Sequence, residues 1–498
     1  MRTIISEIET DHTPMSLARR LREEPGLVVL NSAHSQGPEV RFSYLTVRPF
    51  AIFEARGSRC SVSTGHSKTV QFGNPWKLSE ALMSKYELRD ESDFPFPLGG
   101  MFGYWGYELN RSLSSKLALK ASRDTEVPDL CAGFYDSLCV FDHQLGKCFV
   151  VSTGLLPDGS RSLSLAEDQV SWWENELAST PSNHVSEDLS LRFGGTPVSN
   201  LSRQTFVDRV ARAQRHIKAG DVYQINLSHR LELPFAGSWF DFYARLTTVS
   251  PAPYAALLDF NSVKLASASP ESFLRISGKH IRTRPIKGTR PRSDDPQKDA
   301  RLSLELQSSE KELAELIMIT DLLRNDLGRI CEFGSVQVPE LIRLERFQHV
   351  QHLVSTVEGR LTDSMSHVSA LASCFPGGSI TGAPKIRAMQ IIDELETVAR
   401  GPYTGAIGFI GFNQESQLSI AIRTAYATDD RVYFSIGAGI VADSDPEAEY
   451  EETIAKGRGF LETIGIDSRT DLLTPRERNR GYLTSPSQQE EQLDDQLH

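Results

Sequence analysis

The sequence predicts an α+β fold in which large, mainly antiparallel β-sheets pack as a sandwich with helices on the outside. Segments with apolar residues at helical spacing, such as residues 205–221, alternate along the chain with segments in which every second residue is apolar, such as 222–233 and 419–428. Glycine-rich turns lie between many of them. Mixed runs of helices and strands are typical of sheets that are covered by helices.

Four regions follow one another along the chain. Residues 1–175 form an N-terminal region with strand-like runs such as LVVL at 27–30, and residues 201–464 form a second region of long helices, strands and glycine turns. Between them, residues 176–200 are rich in Ser, Pro, Asn and Gly, which predicts a linker or a surface loop. The polar and acidic composition of residues 465–498 predicts a disordered tail.

Three helices of the second region are predicted most clearly, from the spacing of their apolar residues or from their capping residues. The first lies within 205–221, and the segment 297–330 is predicted as the second. The second is predicted to carry its apolar residues on one stripe: Leu313, Leu316, Ile317 and Leu323. The third begins near Ser444 or Asp445, either of which can cap it, and Pro446 suits its first position.

Composition and charge exclude several classes of protein. Of the 498 residues, 39% are hydrophobic and 24% are charged, which is typical of a folded globular protein. The net charge of -12 argues against a general nucleic-acid binder. The N-terminus carries acids where a signal peptide would be apolar, and no segment reaches the roughly 18 apolar residues of a membrane span. We therefore expect a cytoplasmic protein that binds neither membranes nor nucleic acid.

The cysteine positions predict buried free thiols rather than disulfides or a zinc site. They form no CxxC pair and no spacing that is typical of metal ligands. The cysteines are Cys60, Cys131, Cys139, Cys148, Cys331 and Cys374.

Acidic side chains on two predicted helices form a candidate metal site. Glu449, Glu452 and Lys456 share one face of the helix that begins near Asp445. Glu315 lies close to the apolar stripe of the earlier helix, where a carboxylate either reaches solvent or is buried with a cation. Three carboxylates without nearby cysteines or paired histidines would suit Mg²⁺, completed by an anionic substrate. The alternative is a set of surface acids that complement the helix dipole.

Glycine-rich segments supply candidate anion-binding groups. The stretch FPGGSITGAPK (375–385) lacks the Gly-Lys-Ser/Thr ending of a Walker loop, but its backbone amides could hold a carboxylate. In the stretch 436–444, Gly437 and Gly439 allow a ligand to approach the backbone closely. The alternative in both cases is an ordinary turn.

Arg423 and His352 each allow two interpretations. In the alternating segment SIAIRTAYAT, Arg423 would share a strand face with small residues, which leaves space for a carboxylate on its guanidinium. These small residues are Ser419, Ala421 and Ala425. The alternative is an arginine on a solvated face. His352 lies in an apolar context, which by itself favours a core histidine.

The basic stretch RTRPIKGTRPR places Lys287 between an isoleucine and a glycine. Lys287 either adds one charge to an anion-binding patch or acts as a nucleophile, and only a neutral amine can attack carbon. Repulsion from nearby arginines, together with partial burial beside Ile286, would favour the neutral amine. The arginines in question are Arg282, Arg284, Arg290 and Arg292.

The order of these motifs resembles that of the chorismate-utilising enzymes, which include anthranilate synthase component I, aminodeoxychorismate synthase component I, isochorismate synthase and salicylate synthase. The matching segments are ASPESFL (268–274), PIKGTRPR (285–292), AELIMITDLLRNDLGR (314–329), QHLVSTVEG (351–359), FPGGSITGAPKIRAM (375–389), YTGAIGF (403–409), IAIRTA (420–425) and GAGIVADSDPEAEYEET (437–453). The resemblance is strong from about residue 200 to about residue 460 and looser before that. It implies a fold like that of anthranilate synthase component I.

The resemblance also implies a role for each candidate residue. Glu271 resembles the general acid that protonates the departing 4-hydroxyl of chorismate, and Lys287 resembles a nucleophile. Glu315, Glu449 and Glu452 would surround a Mg²⁺ ion bound to chorismate. The residues implied in substrate binding are Ser379, Tyr403, Arg423, the amides of Gly437 and Gly439, Lys456, His352 and, by its position, Gln224.

Two positions point to one branch of the family. Water-using isochorismate synthases carry a lysine at the position of Gln224, so water activation is not expected. Anthranilate synthases usually carry alanine at the position of Lys287, whereas lysine is typical of aminodeoxychorismate synthase component I.

The implied reaction joins Lys287 to C2 of chorismate with loss of the 4-hydroxyl. Ammonia then attacks C4 and gives 4-amino-4-deoxychorismate, the precursor of 4-aminobenzoate for folate.

The resemblance implies partners as well. No glutaminase motif is visible, so ammonia would come from a separate glutamine amidotransferase subunit or from solution. Some members bind tryptophan in a pocket whose matching residues here are Ser32, Pro253 and Tyr254, and whether this chain binds tryptophan stays open.

The alternative functions are those of an anthranilate synthase component I, a pyridoxal-phosphate enzyme, for which no phosphate cup is visible, and a non-catalytic subunit that binds an effector.

Overall fold

The computed structural model describes residues 2–466, except for residues 33–40, 66, 89, 92–93, 115, 118–119, 182–190, 347–349 and 429. Most of the predicted disordered tail therefore lies outside the described residues.

Most helices begin at a side chain that accepts a backbone N–H group of the first turn. Ser, Thr, Asn or Asp at this position satisfies a donor that the helix start leaves unpaired, as Ser202 and Asp445 do. The helices are α1 (Pro14–Arg20), α2 (Pro75–Lys85), α3 (Leu163–Leu177), α4 (Arg203–Lys218), α5 (Trp239–Val249), α6 (Pro296–Gln307), α7 (Glu310–Gly328), α8 (His367–Cys374), α9 (Lys385–Leu395) and α10 (Pro446–Thr463). A 3-10 helix spans Tyr107–Ser112.

The strands form two groups along the chain, one on each side of α3. The first group is β1 (Ile4–Ile8), β2 (Leu27–Asn31), β3 (Phe42–Thr46), β4 (Ala51–Arg56), β5 (Arg59–Thr64), β6 (Ser67–Phe72), β7 (Gly100–Trp105), β8 (Leu130–Tyr135), β9 (Ser137–Asp142) and β10 (Lys147–Ser152). The second group is β11 (Arg192–Phe193), β12 (Val198–Ser199), β13 (Gln224–Ala236), β14 (Tyr254–Phe260), β15 (Val263–Ser269), β16 (Ser272–Ser277), β17 (His280–Arg284), β18 (Ile286–Pro291), β19 (Gln337–Arg346), β20 (Val350–Arg360), β21 (Gly382–Ala383), β22 (Ala406–Gly411), β23 (Glu415–Ile420), β24 (Thr424–Thr428) and β25 (Arg431–Ile440).

These strands form two large antiparallel sheets. Sheet A has the order β1-β10-β9-β3-β2-β14-β15-β24-β25-β13-β11, and β12 and β21 also pair with β13. Sheet B has the order β18-β20-β17-β16-β23-β22-β7-β8-β4-β5-β6, and β19 also pairs with β20. The predicted α+β class with large antiparallel sheets and helices is confirmed.

Successive side chains of one strand point to opposite faces of the sheet and pack in different layers of the core. In β7, Met101 and Trp105 pack in the cluster that includes residues of helices α2, α7 and α8. Phe102 and Tyr104, which point to the opposite face, pack in a second cluster with aromatic residues of sheet A such as Tyr44. Because side chains alternate across a strand, this second cluster is the layer between the two sheets.

Both sheets run continuously through the two predicted sequence regions. In sheet A, β2 pairs with β14, with Val29 opposite Leu257. In sheet B, β7 pairs with β22, with Gly103 opposite Gly408. The predicted linker, residues 176–200, contains the end of α3 and the short strands β11 and β12, both of which pair with β13.

Two sequence predictions within this fold were wrong. The segment 297–330 is two helices, because Ser308 ends α6 and the Ser309 side chain caps the start of α7. Ile317 does not lie on the buried stripe of α7, since it is 46% exposed. The apolar face of α7 is formed instead by Leu316, Ile319, Leu323 and Leu327.

Two of the places where the chain crosses from one sheet to the other lie next to each other. Between β15 and β16 it leaves sheet A through Pro270 and Glu271, and between β23 and β24 it leaves sheet B through residues 421–423. The two crossovers bond to each other, since Ile420 N–H donates to the Glu271 carbonyl at 3.0 Å and Ala268 N–H donates to the Arg423 carbonyl at 3.0 Å. The two crossing points are therefore held side by side.

All six cysteines are free and buried, as predicted. Within the described part of the chain, no helix combines the length and the apolar character needed to cross a bilayer.

Candidate active site

A cavity of about 510 Å³ lies between β25 of sheet A and β18 and β20 of sheet B, with α7 and α10 beside it. This volume is in the range of small-molecule sites, roughly 300–1,000 Å³. The structure brings together in its lining most of the residues predicted from the sequence: Glu271, Lys287, Glu315, His352, Ser379, Tyr403, Arg423, Gly437, Gly439, Glu452 and Lys456. Gln224 and Glu449 lie just outside this lining.

A bulge in β18 positions Lys287. The pairing of β18 with β20 shifts register between Lys287 and Thr289, and Gly288 between them has a φ of 65°. A β-carbon on Gly288 would lie 2.5 Å from the Leu306 side chain, so the position requires glycine. Bulges of this kind redirect the neighbouring side chain. The Lys287 Nζ donates to Glu315 Oε2 at 3.1 Å inside the cavity.

The arginines near Lys287 do not surround it, which corrects the predicted repulsion. Arg284 pairs with Glu345 at 2.6 Å, and Arg292 pairs with Asp299 at 2.8 Å. Arg290 lies 3.8 Å from Glu312, and Arg282 lines a separate cleft on the other side of β17 and β20. Because carboxylates accompany these arginines and Glu315 accompanies Lys287, arginine charge is not what would prepare the amine for attack.

Glu271 occupies the first crossover and is buried. Burial raises the pKa of its carboxyl group to about 7, although a hydrogen bond from Ser379 and the nearby charges of Lys287 and Lys456 act in the opposite direction. The Ser379 hydroxyl donates to Glu271 Oε1 at 2.6 Å. A carboxyl group with this pKa can be protonated near neutral pH, which a general acid requires.

Arg423 occupies the second crossover and not a strand, so its predicted sharing of a strand face with small residues was wrong. Its φ is 49°, which turns the chain between the two sheets. Its guanidinium lines the cavity, and burial lowers its pKa. Among the described residues, no side chain forms an ion pair or hydrogen bond with it. A buried arginine without a protein carboxylate is suited to bind an anionic ligand.

Gly437 and Gly439 of β25 form a wall where other groups approach the backbone closely. A β-carbon on Gly437 would lie 2.7 Å from the Tyr403 hydroxyl oxygen. One on Gly439 would lie 2.5 Å from the Gln224 side-chain nitrogen and 3.8 Å from Lys287 Nζ. Protein side chains therefore approach these two glycines closely. Both glycines also line the cavity, where a ligand could approach them.

The acids of α10 have partners of their own. The Ser444 hydroxyl donates to Glu449 Oε1 at 2.6 Å, while Glu449 Oε2 is buried without a partner. Burial raises the pKa of Glu449. Burial also acts to raise the pKa of Glu452, but Lys456, 2.7 Å away, holds it below its ordinary value. Lys456 also donates to the Gly437 carbonyl at 3.1 Å.

The predicted three-carboxylate cluster is not formed in this structure. Within the described ranges, no three Asp, Glu, His or Cys side chains come together in a way that could hold a metal ion. Glu315 pairs with Lys287 at 3.1 Å instead. The unpartnered Glu449 oxygen and the cavity-facing Glu452 still fit Mg²⁺, which binds proteins through one or two carboxylates and completes its shell with water and substrate oxygens.

His352 faces the cavity as a neutral imidazole. Its Nδ1 lies 2.8 Å from the Thr289 hydroxyl. Burial, together with the nearby charge of Arg423, lowers the pKa of His352 to about 4. The expectation of a merely core histidine was too narrow, because His352 is both buried and part of the cavity lining.

Comparison with known proteins identifies the family. A family model described as chorismate binding enzyme matches residues 35–462, most of the chain. The chain belongs to the chorismate-binding enzyme family. The cavity between the two sheets, whose lining includes Glu271 and Arg423, is therefore the candidate active site.

Relatives of this chorismate-binding enzyme carry two names. It is 38% identical to the anthranilate synthase component 1 1 of Haloarcula marismortui over 92% of each chain. It is also 38% identical to the aminodeoxychorismate synthase component 1 of Salmonella typhimurium over 88% of this chain and 93% of the relative. The solved anthranilate synthase component I of Streptococcus pneumoniae superposes with a TM-score of 0.74 and 33% identity over 85% of this chain and 92% of that one.

The predicted effector pocket is nearly closed. Ser32 and Tyr254 line a cavity of about 20 Å³, which is about the space of one water molecule. The Ser32 hydroxyl donates to the Pro253 carbonyl at 3.0 Å. Tryptophan does not fit this cavity unless the surrounding side chains move apart.

The lining of the candidate active site contains residues that the sequence analysis did not assign to it. They are Thr289, Lys311, Glu312 and Asn226, and Arg290, which the sequence analysis named only as a charge near Lys287, also lines the cavity. Asn226 had a usable signal, because it lies two residues after Gln224 on the same strand and therefore on the same face. Lys311 and Glu312 lie one turn before Glu315 on α7, which was a second usable signal.

Proposed function

We propose that this chorismate-binding enzyme is an aminodeoxychorismate synthase that converts chorismate and ammonia to 4-amino-4-deoxychorismate and water. The observation that carries the proposal is the place of Lys287, a primary amine directed into the active-site cavity and 3.1 Å from the Glu315 carboxylate. A covalent route needs such an amine, and Glu315 can accept its proton.

In the first step, the Lys287 amine would attack C2 of chorismate. The C1–C2 and C5–C6 double bonds shift to C1–C6 and C4–C5, and the C4–O bond breaks. Glu271, with its pKa of about 7, would supply the proton with which the 4-hydroxyl leaves as water. The lysine proton passes to a base such as Glu315, 3.1 Å away.

In the second step, ammonia would attack C4 of the adduct. The double bonds return to their original places, and the C2–N bond to Lys287 breaks. Lysine recovers a proton, ammonia loses one, and the enolpyruvyl ether of the substrate is untouched. No pyruvate is released, which separates this product from anthranilate.

Several groups would hold the dianionic substrate. Arg423 has no anionic side chain beside it among the described residues, and the Lys456 ammonium lies near the Gly437 backbone. Glu449 and Glu452 would hold a Mg²⁺ ion, which would supply positive charge for a substrate carboxylate. His352, as a neutral imidazole, would offer hydrogen bonds without adding charge.

A separate glutamine amidotransferase subunit would deliver the ammonia. The names of the relatives support this, because "component 1" implies a second component. The chain itself would then need only ammonia and chorismate.

The test replaces Lys287 with arginine, which keeps the charge but does not provide a nucleophilic amine. Lys287→Arg is expected to bind chorismate and to lose at least about 100-fold of aminodeoxychorismate formation, since covalent catalysis is lost. Arg292→Lys is the matched control, because Arg292 lies in the same basic stretch and pairs with Asp299 outside the cavity. Wild type incubated with chorismate but no ammonia should show an adduct by intact mass.

The competing function is that of anthranilate synthase component I, whose name is carried by relatives of the same identity. Chromatography of the products separates the two, because anthranilate forms with an equal amount of pyruvate. Anthranilate and pyruvate from the wild type, or normal aminodeoxychorismate formation by Lys287→Arg, would overturn the proposal.

A further inference from the structure

A buried arginine lies behind the wall of the cavity. Arg400 is 3% exposed, and it forms an ion pair with Glu396, to which its Nε donates at 2.8 Å and its Nη2 at 2.7 Å. Nη1 donates to the Ile380 carbonyl at 3.2 Å and to the Thr404 hydroxyl at 3.1 Å. Nη2 also donates to the Asn226 carbonyl at 2.7 Å. A guanidinium has five N–H groups, so each of them has an acceptor here.

The segments that Arg400 joins are walls of the cavity. Asn226 of β13 and Ile380 line it directly. Thr404 directly follows Tyr403, which also lines the cavity and whose ring centre lies 5.7 Å from the Arg400 guanidinium carbon. Arg400 lies behind these residues rather than in the lining itself. Its bonds can therefore act on a substrate only through the positions of the walls.

The ion pair is itself fixed from two sides. The Arg400 N–H donates to Glu108 Oε1 at 3.0 Å, and the Gly401 N–H donates to Glu108 Oε2 at 2.9 Å. Ser228 of β13 holds Glu396, because its N–H and its hydroxyl donate to Glu396 Oε1 at 2.9 and 2.8 Å. A buried ion pair is weak evidence for stability, since the loss of hydration opposes the attraction. A fully bonded buried network does make its surroundings rigid.

We propose that Arg400 is a positioning residue for the reaction with chorismate, which holds the walls at Asn226, Ile380 and Thr404 in the arrangement that the substrate requires. A misplacement of about 1 Å can cost about 100-fold in rate, even when its source lies away from the chemistry. The inference rests on the proposed function only in taking chorismate as the substrate, and not on which product forms.

The first test is Arg400→Lys. Lysine keeps the positive charge beside Glu396, but its three N–H groups lie on one atom and cannot replace the spread of the guanidinium. We expect kcat/KM for chorismate to fall about 10- to 100-fold. Arg41→Lys is the matched control, because Arg41 also pairs with a buried carboxylate, that of Asp142, outside the cavity lining. The control should keep kcat/KM within about twofold of wild type, even where its melting temperature falls.

A second variant keeps the test decisive if Arg400→Lys folds poorly. Loss of one partner of a buried ion pair is strongly destabilising, whereas replacement of both is often neutral. Arg400→Met combined with Glu396→Gln removes both charges, and the glutamine oxygen can still accept from Ser228. This double variant should fold, as measured by its melting temperature. It should lose at least as much kcat/KM as Arg400→Lys, because every joined segment loses its donor.

The pH profile shows whether Arg400 acts through the active site. Ile380 directly follows Ser379, whose hydroxyl donates to Glu271 Oε1. Release of Ile380 should weaken this bond and destabilise ionised Glu271, so the basic limb of kcat/KM should move to higher pH by about 1 unit in Arg400→Lys. Adding Arg400→Lys to Ser379→Ala should leave the limb where Ser379→Ala alone puts it, since the connecting hydroxyl is gone. A merely structural defect would not move the limb.

These outcomes separate the inference from the proposed function. If wild type makes anthranilate, or if Glu271→Gln keeps the basic limb, that part of the proposed function fails, while kcat/KM of Arg400→Lys against Arg41→Lys still tests Arg400. A kcat/KM within about twofold of wild type in a folded Arg400 variant would overturn the inference. Where Glu271→Gln removes the limb, an unmoved limb in Arg400→Lys, or a shift that adds to that of Ser379→Ala, would overturn it as well.

Discussion

Ser379→Ala is expected to move the basic limb of the pH–rate profile to higher pH. The Ser379 hydroxyl donates to Glu271 Oε1 at 2.6 Å, and this bond stabilises the ionised carboxylate. Burial raises the pKa of Glu271, and the Ser379 bond acts against this effect. Without the bond, the pKa of Glu271 therefore rises further above about 7. A general acid acts only while protonated, so activity that depends on Glu271 falls as pH rises through its pKa.

The size of the shift follows from the strength of the bond. A hydrogen bond to a charged group contributes about 1.5–3 kcal/mol, and one pH unit of pKa corresponds to about 1.36 kcal/mol. Loss of the Ser379 hydroxyl should therefore move the limb by about 1 to 2 pH units, from about 7 to about 8–9.

The assay is kcat/KM for chorismate between pH 6 and 10, with total ammonium adjusted so that free ammonia stays constant. This ratio reports the groups of the free enzyme. Ser379→Thr, which keeps a hydroxyl, should retain the limb near its original pH, and Glu271→Gln should remove the limb. A limb that stays in place or moves to lower pH in Ser379→Ala would refute the reasoning.

Three further outcomes are expected. Glu452→Ala should raise the Mg²⁺ concentration for half-maximal activity by at least about tenfold without unfolding the protein, because one carboxylate ligand is lost; an unchanged Mg²⁺ requirement would contradict the metal site. The isolated chain should form product from ammonium salts and not from glutamine, and steady product from glutamine measured by chromatography would contradict the need for a partner subunit. Asp136→Asn should raise the melting temperature at pH 8 more than at pH 5: burial raises the pKa of Asp136 to about 7, so the folded state binds the extra proton and stability is lost as pH rises toward 7. An equal effect at both pH values would show that Asp136 does not titrate in this way.

Periodicity in the sequence was enough to predict the class of fold but not the path of the chain. The stretch SIAIRTAYAT alternates like one strand, yet Ile420 ends a strand of sheet B and Thr424 begins a strand of sheet A. Alternation reports burial on two faces and does not report which sheet provides them. The prediction that Arg423 binds an anion therefore started from an incorrect assignment of this residue to a strand.

The sequence also did not allow us to predict which acidic side chains pair with the basic ones near Lys287. The arginines around Lys287 lie close in the chain, but Arg284 and Arg292 are bonded to Glu345 and Asp299 from other elements. The partner of Lys287 itself comes from α7, 28 residues further along. Electrostatic arguments from neighbours in sequence fail where strands turn alternate side chains to opposite faces.

The sharing of both sheets between the two halves of the chain affects how the protein is synthesised. Strand β7 ends at residue 105, and its partner β22 begins at residue 406, about 300 residues later. At translation rates of about 5–20 residues per second, the edge of β7 waits roughly 15–60 s for its partner. Strand β2 likewise waits for β14. Unpaired edges are templates for aggregation, so we expect the nascent chain to need protection of these edges until the second half has emerged.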